Sequence, residues 1–303
     1  MGVQGQAMDW RRYGPEEIEA QFNPRKSVPD FEDHQARHAA WSAAARAELD
    51  GRLDVPYGDG PLQKVDIFPA PGTRNAPVHV FFHGGYWRAQ DKANFAHVAR
   101  TSVGEGICAV IANYDLCPAV TLDGTVDSAL RAIAWTWRHG RAYGGDPERL
   151  TLSGHSAGAH LCAMALAHDW AVAGLPADVV KGAVPISGIF DPEPAMHTTV
   201  NAEIGLTEDI ARRNNALRLP PRVHCPVALF AGADEPAQWI RQSELYAAHL
   251  RQHALAPELT LVPDAHHFDI LDHYIDPTSA IVRAIVELTH GRIGAGGQAS
   301  REF

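Results

Sequence analysis

Positive charge is the scarcer kind in this chain: 26 Lys plus Arg stand against 36 Asp plus Glu over 303 residues, a formal net charge of −10. The basic residues are scattered, with no run able to track a phosphate backbone, so nucleic acid is not an expected partner. Long apolar runs are missing too. No stretch approaches the roughly 20 apolar residues that span a bilayer, and residues 1–13 hold no apolar signal-peptide core, so a soluble cytoplasmic protein without a membrane partner is expected. Cysteine is sparse. Cys108, Cys117, Cys162 and Cys225 stand singly in mostly apolar surroundings, which excludes a disulfide-stapled secreted scaffold and predicts buried free thiols. Glycine (26) and proline (21) are near average usage, which excludes collagen-like and low-complexity chains. There is no internal repeat and no Pro/Gly/Ser-rich linker.

What remains is 46% hydrophobic residues, ample for the core of one α/β domain spanning 1–303. Residues 1–55 are polar and rich in helix formers, notably Pro15–Phe22 and His38–Leu49, and predict a helical extension with too few apolar residues to fold alone. From 56 to about 290 the texture is that of the folded core. Short apolar runs (Val65–Phe68, Val78–Phe82, Cys108–Ala112, Leu150–Leu152, Ala183–Ile186, Val227–Phe230 and Leu259–Val262) predict strands covered on both faces. Between them lie helical periods, such as Val126, Leu130, Ile133 and Trp137, and a last helix through Ile281, Ile285 and Leu288 that Asp276 and Pro277 would open. Such alternation predicts a mainly parallel sheet flanked by helices. The polar, proline-containing segment 188–222 predicts a small cap over the sheet edge, and 291–303 a frayed tail.

Gly154-His155-Ser156-Ala157-Gly158 follows a predicted strand and precedes a predicted helix. A serine in such a sharp turn needs glycine on either side, because the close approach of strand and helix leaves no room for neighbouring Cβ atoms. Ser156 is therefore the expected nucleophile. His83-Gly84-Gly85-Tyr86-Trp87 follows the strand Val78–Phe82, where a glycine-containing loop can supply backbone N–H donors to an oxyanion hole. The expected donors are Gly85, Tyr86 and Ala157, with Gly84 serving the turn and His83 ordering the loop. A serine needs a base and the base an orienting acid, in the chain order Ser, acid, His. After the strand ending at Phe230 come Asp234, the expected acid, and Glu235, its alternative. After the strand ending at Val262 come His266 and His267. The run Asp264, His266, His267, Asp269, Asp272 and His273 also admits a reading as metal ligands, but it lies on one strand end and loop, so no metal is expected.

On these residues the chain resembles the α/β-hydrolase superfamily, near its hormone-sensitive lipase branch, and more closely the kynurenine formamidase (arylformamidase) family. The likeness rests on H-G-G-Y-W, G-H-S-A-G-A-H-L, S-G-I-F-D-P-E-P at 187–194, the D-E-P-A stretch from Asp234 to Ser243, and H-F-D-I at 267–270, and it runs from about Tyr13 to Glu287. The family's base directly precedes Phe and an acidic residue, which singles out His267. The resemblance implies hydrolysis of N-formylkynurenine, or alternatively of short-chain or aryl esters, through an acyl-enzyme without metal or organic cofactor. A small aryl formamide or ester is then the partner molecule, and self-association into a homodimer is compatible with it. Trp87, Phe190, His197 and Trp239 are open to two readings, an aryl pocket or ordinary packing. His160, His168 and His249 are expected at the surface or behind the site, and Trp135, Trp137 and Trp170 in packing.

Overall fold

The computed structural model describes residues 9–292. The seven apolar runs form strands, preceded by one more: β1 (Arg52–Pro56), β2 (Lys64–Phe68), β3 (Ala76–Phe82), β4 (Cys108–Ala112), β5 (Gly145–His155), β6 (Gly182–Ile186), β7 (Ala228–Gly232) and β8 (Glu258–Val262). They pair in the order β1-β2-β4-β3-β5-β6-β7-β8. From β4 to β8 all neighbours run parallel, while β2 is antiparallel to both β1 and β4. β1 was expected to belong to the helical extension. Its residues, Arg-Leu-Asp-Val-Pro, alternate polar and apolar and are mostly exposed because it closes the sheet edge, so it carries no continuous apolar run to betray it.

The helices are α1 (Pro15–Phe22), α2 (Pro24–Ser27), α3 (Phe31–Glu48), α4 (His97–Gly104), α5 (Leu122–His139), α6 (Ala157–Ala167), α7 (Asn201–Ile204), α8 (Glu208–Arg213), α9 (Ala237–Gln252) and α10 (Ala280–Thr289). Side chains alternate across a strand, and β3 displays the result. Val78, Val80 and Phe82 enter a core shared with α5, α6 and α9, whereas Phe81 enters a second core with α4 and α10. In α10, Ile281, Ile285 and Leu288 are all buried, each stabilising the fold by about 1.5–3 kcal/mol. The cap of α10 is Ser279, whose hydroxyl accepts from Val282 N–H, rather than Asp276 and Pro277; Asp276 instead accepts from Thr278. The four thiols are buried and free. Trp170 is buried, and Trp135 and Trp137 pack against the core.

The N-terminal helices lie across the carboxyl ends of the strands, held by polar ties. Glu19 accepts from Thr199 Oγ1 at 2.6 Å, Gln21 accepts from Gln238 N–H at 2.9 Å, and Phe22 C=O accepts from Tyr86 OH at 2.8 Å. α3 is anchored by Arg37 and His38, both on Asp272. Segment 188–222 carries α7 and α8 and is pinned to α5 by Arg213 and Asn214 on Asp123. Of the tail, Gly291 and Arg292 still bond to the end of α10, and 293–303 lie outside the described residues.

Candidate active site

Ser156 sits between β5 and α6 with φ 56° and ψ −115°, a conformation that costs a non-glycine residue of order 1–3 kcal/mol. The surroundings enforce it. Ser156 N–H is held by Ile186 C=O at 2.9 Å on β6, and its own carbonyl accepts from Ala159 and His160. A Cβ on Gly154 would collide with the Gly158 carbonyl, and one on Gly158 with Phe82 O on β3. The two glycines of the pentapeptide are thus explained by close backbone approach. The turn lifts Ser156 into the lining of an open-mouthed cavity, which it shares with His267, Gly84, Gly85 and Tyr86.

His267 follows β8 and is buried. Its Nδ1 lies 3.0 Å from Glu235 Oε1, leaving Nε2 as the ring nitrogen free to meet a hydroxyl. Trp239 meets the ring edge-on at 4.7 Å between centroids, and His155 lies 4.6 Å away and bonds through Nε2 to the His267 carbonyl at 2.8 Å. The expected acid, Asp234, is not the residue brought to the histidine: its side chain is exposed, while Glu235 is buried. The cause is the turn after β7. Ala233 and Asp234 spend their N–H groups on Val262 and Ala265 of the neighbouring strand end, and Glu235 N–H curls back to Gly232 C=O, so the inward position falls one residue later.

Burial raises the Glu235 carboxyl above its ordinary range, and the Ser187 hydroxyl is the first group working against that shift. Burial likewise lowers His267 below the ordinary imidazole value. Each charge alone is costly in this dry setting, which makes the pair titrate as a unit.

The H-G-G-Y-W loop is strained: Gly85, Tyr86 and Trp87 have φ of 117°, 54° and 57°. His83 holds it from below. Buried, it contacts Gly84 O at 2.7 Å through Nδ1 and Asn113 Oδ1 at 3.1 Å through Nε2, and stacks on Tyr114 and Phe95. Gly84 packs so closely that a Cβ there would lie 2.9 Å from His155 Nδ1 and 3.2 Å from Ser156 Cβ. Among the described residues, no protein acceptor takes the N–H of Gly85, Tyr86 or Ala157. Ala157 begins α6, whose N-terminal dipole favours negative charge at that spot.

The four aromatic residues weighed for an aryl pocket pack instead. Trp87 is buried against His160, Phe190 stacks on Tyr246 at 4.2 Å, Trp239 supports His267, and His197 leans on Trp10. The aromatic wall comes from Tyr86, Phe95 and Phe268. His160 was expected at the surface or behind the site and is fully buried behind it: it receives Trp87 Nε1–H at 3.2 Å on Nδ1 and reaches Asn214 O at 2.7 Å through Nε2, which ties loop, α6 and cap together. His155 and the N-terminal residues Arg25, Gln35 and His38 also line the cavity. Only the i−1 position of His155 in the pentapeptide hinted at its place. In the histidine-rich run, His266 caps the turn at Asp269 and Asp272 binds Arg37 and His38.

A strand-loop-serine elbow over a mainly parallel sheet, with a histidine and carboxylate delivered from the next strand ends, is the plan of an α/β hydrolase. The chain belongs to that family: residues 79–220 match the family model for the α/β-hydrolase fold. It is 30% identical over 292 residues to the kynurenine formamidase of Salmo salar, covering 92% of this chain and 98% of that one. It is also 30% identical to esterase LipQ of Mycobacterium tuberculosis, over 86% of this chain and 65% of the relative. Among solved structures, a candidate thioesterase from Silicibacter superposes with a TM-score of 0.78 at 27% identity, covering 89% of this chain and 98% of that one. The chain is therefore a hydrolase of the α/β family. Among the described residues no helix is long and apolar enough to cross a membrane.

Proposed function

We propose that the chain is a serine hydrolase that removes a formyl or other small acyl group through an acyl-enzyme, with N-formylkynurenine as the favoured substrate. The observation carrying this reading is the shared cavity of Ser156 and His267, with Glu235 on the far nitrogen of the histidine. In the cycle, Ser156 Oγ attacks the carbonyl carbon while His267 Nε2 takes its proton, and Glu235 orients the ring and stabilises the imidazolium. Charge developing on the carbonyl oxygen is met by the N–H groups of Gly85, Tyr86 and Ala157, each worth about 10²–10³ in rate. His267 then protonates the departing aniline nitrogen or alkoxide. Water, activated by the same ring, releases formate or a small acid. Nothing in this cycle calls for a metal or an organic cofactor.

Formamide cleavage is favoured by the near full-length similarity to the Salmo salar kynurenine formamidase. Ester cleavage is the second reading, supported by the similarity to esterase LipQ, and the same groups would perform it. Ser156→Ala is expected to abolish turnover, and an organophosphate to label Ser156 alone; persistent turnover in that variant would refute the assignment. Side-by-side kcat/KM values for N-formylkynurenine and p-nitrophenyl acetate decide between the two substrates.

A further inference from the structure

The cavity's lining differs in charge from the protein as a whole. The chain carries 36 acidic residues for a net charge of −10, yet no Asp or Glu lines the cavity, while two arginines do. Arg25, on α2, is partly buried; its guanidinium lies 4.7 Å from the Phe31 ring, and among the described residues it makes no salt bridge or hydrogen bond. Arg88 rides on the turn that presents Gly85 and Tyr86, its own N–H bonded to Gly85 O. One of its nitrogens, Nη1, meets Glu203 Oε2 at 2.7 Å, but its Nε is buried with no partner. The two guanidiniums repel one another: burial first, and Arg88 second, lower the Arg25 pKa. Glu203 acts on both, Glu32 adds a weaker pull on Arg25, and neither acid lines the cavity. A partly desolvated cation with no hydrogen-bonded acid of its own gains from an anionic partner, and Arg25 stands in that position at the edge of the reacting centre.

We infer that Arg25 and Arg88 form a receptor for an anionic group on the substrate, a carboxylate carried by the part that leaves. This deepens the serine-hydrolase reading and rests on it. The formyl or acetyl group is small, so most of the cavity belongs to the leaving part. Guanidinium forks match a carboxylate with two parallel hydrogen bonds, and the whole Arg25 fork is available for them, with Arg88 adding its charge beside it. Tyr86, Phe95 and Phe268 would hold the ring between the two ends.

The test uses a matched pair of aryl acetates, 3-(4-acetoxyphenyl)propanoate and its primary amide, which share their shape but differ in charge and in one acceptor oxygen replaced by an N–H₂ donor. The full-length enzyme is expected to favour the acid in kcat/KM by roughly 10- to 100-fold, the scale of a charged hydrogen-bonded contact, and the preference should shrink with added salt. Arg25→Gln and Arg88→Gln should each bring the acid-to-amide ratio towards one, and Arg25→Lys should keep part of it. In the Ser156→Ala variant, 3-phenylpropanoate should bind more tightly than 3-phenylpropanamide, and Arg25→Gln should erase the difference. Equal treatment of acid and amide, in turnover or in binding, overturns the anion receptor, as does a preference that survives both arginine variants. Arginine-dependent binding without hydrolysis of either ester overturns the serine-hydrolase reading and leaves the receptor standing.

Discussion

Replacing Glu235 by Gln keeps the shape of the side chain and removes the charge. In the wild type, Glu235 Oε1 stands 3.0 Å from His267 Nδ1, and both groups are buried, so water cannot substitute for the lost acceptor. A glutamine can offer its N–H₂ to Nδ1 and trap the wrong tautomer, which places the proton on Nε2 where the base is needed. The expected loss is about 10⁴-fold in kcat, or about 5 kcal/mol of transition-state stabilisation. Asp234→Asn, one residue away but exposed, should change kcat/KM by less than about two-fold. The two substitutions also differ in stability. Burial raises the Glu235 pKa, so ionising it costs the folded state increasingly as pH climbs above the ordinary glutamate range. Glu235→Gln is spared that cost, and its melting temperature should gain on the wild type as pH rises. Without the carboxylate, burial and then the neighbouring His266 lower His267 unopposed, so the residual activity should persist to lower pH than in the wild type. Steady-state kinetics from pH 5 to 9 and thermal melts check both. A large loss in Asp234→Asn with a mild one in Glu235→Gln would refute the assignment.

Wild-type kcat/KM should fall on acidification as His267 is protonated, with the midpoint below the ordinary imidazole value because burial disfavours the imidazolium; a midpoint at or above that value would count against this reading. Gly84→Ala sets a Cβ against His155 Nδ1 and Ser156 Cβ, displacing the loop from the serine; kcat should drop about 10²–10³-fold with little change in the urea midpoint. Lys92→Met leaves Asp66 buried without the ammonium now 2.6 Å away, and should cost about 3–5 kcal/mol in denaturant unfolding, largely recovered by adding Asp66→Leu. An unchanged midpoint in the single variant would disprove that pairing.

Much of the architecture was legible locally. Short strands buried on both faces read as apolar runs, and α5 and α10 read by their spacing, because burial imposes those periods wherever the element ends up in space. The elbow was legible for a similar reason: Gly154 and Gly158 are dictated by atoms within a few residues or on the adjacent strand. Edge strand β1 escaped because an exposed edge has no such requirement. Which carboxylate serves His267 depended on how the turn after β7 spends its amides on residues near the end of β8, a pairing between segments some 30 positions apart. Arg25, Gln35 and His38 reach the cavity because helices far from the serine in sequence fold back over it, whereas Tyr86, Arg88, Phe95 and Phe268 come from loops that only the tertiary structure gathers there. Residue type and spacing thus pointed to the proposed nucleophile and base and fixed the sheet, whereas long-range backbone pairing and the docking of helices and loops decided which carboxylate meets His267 and what walls the cavity, since a side chain's direction is set by neighbours that the local sequence does not contain.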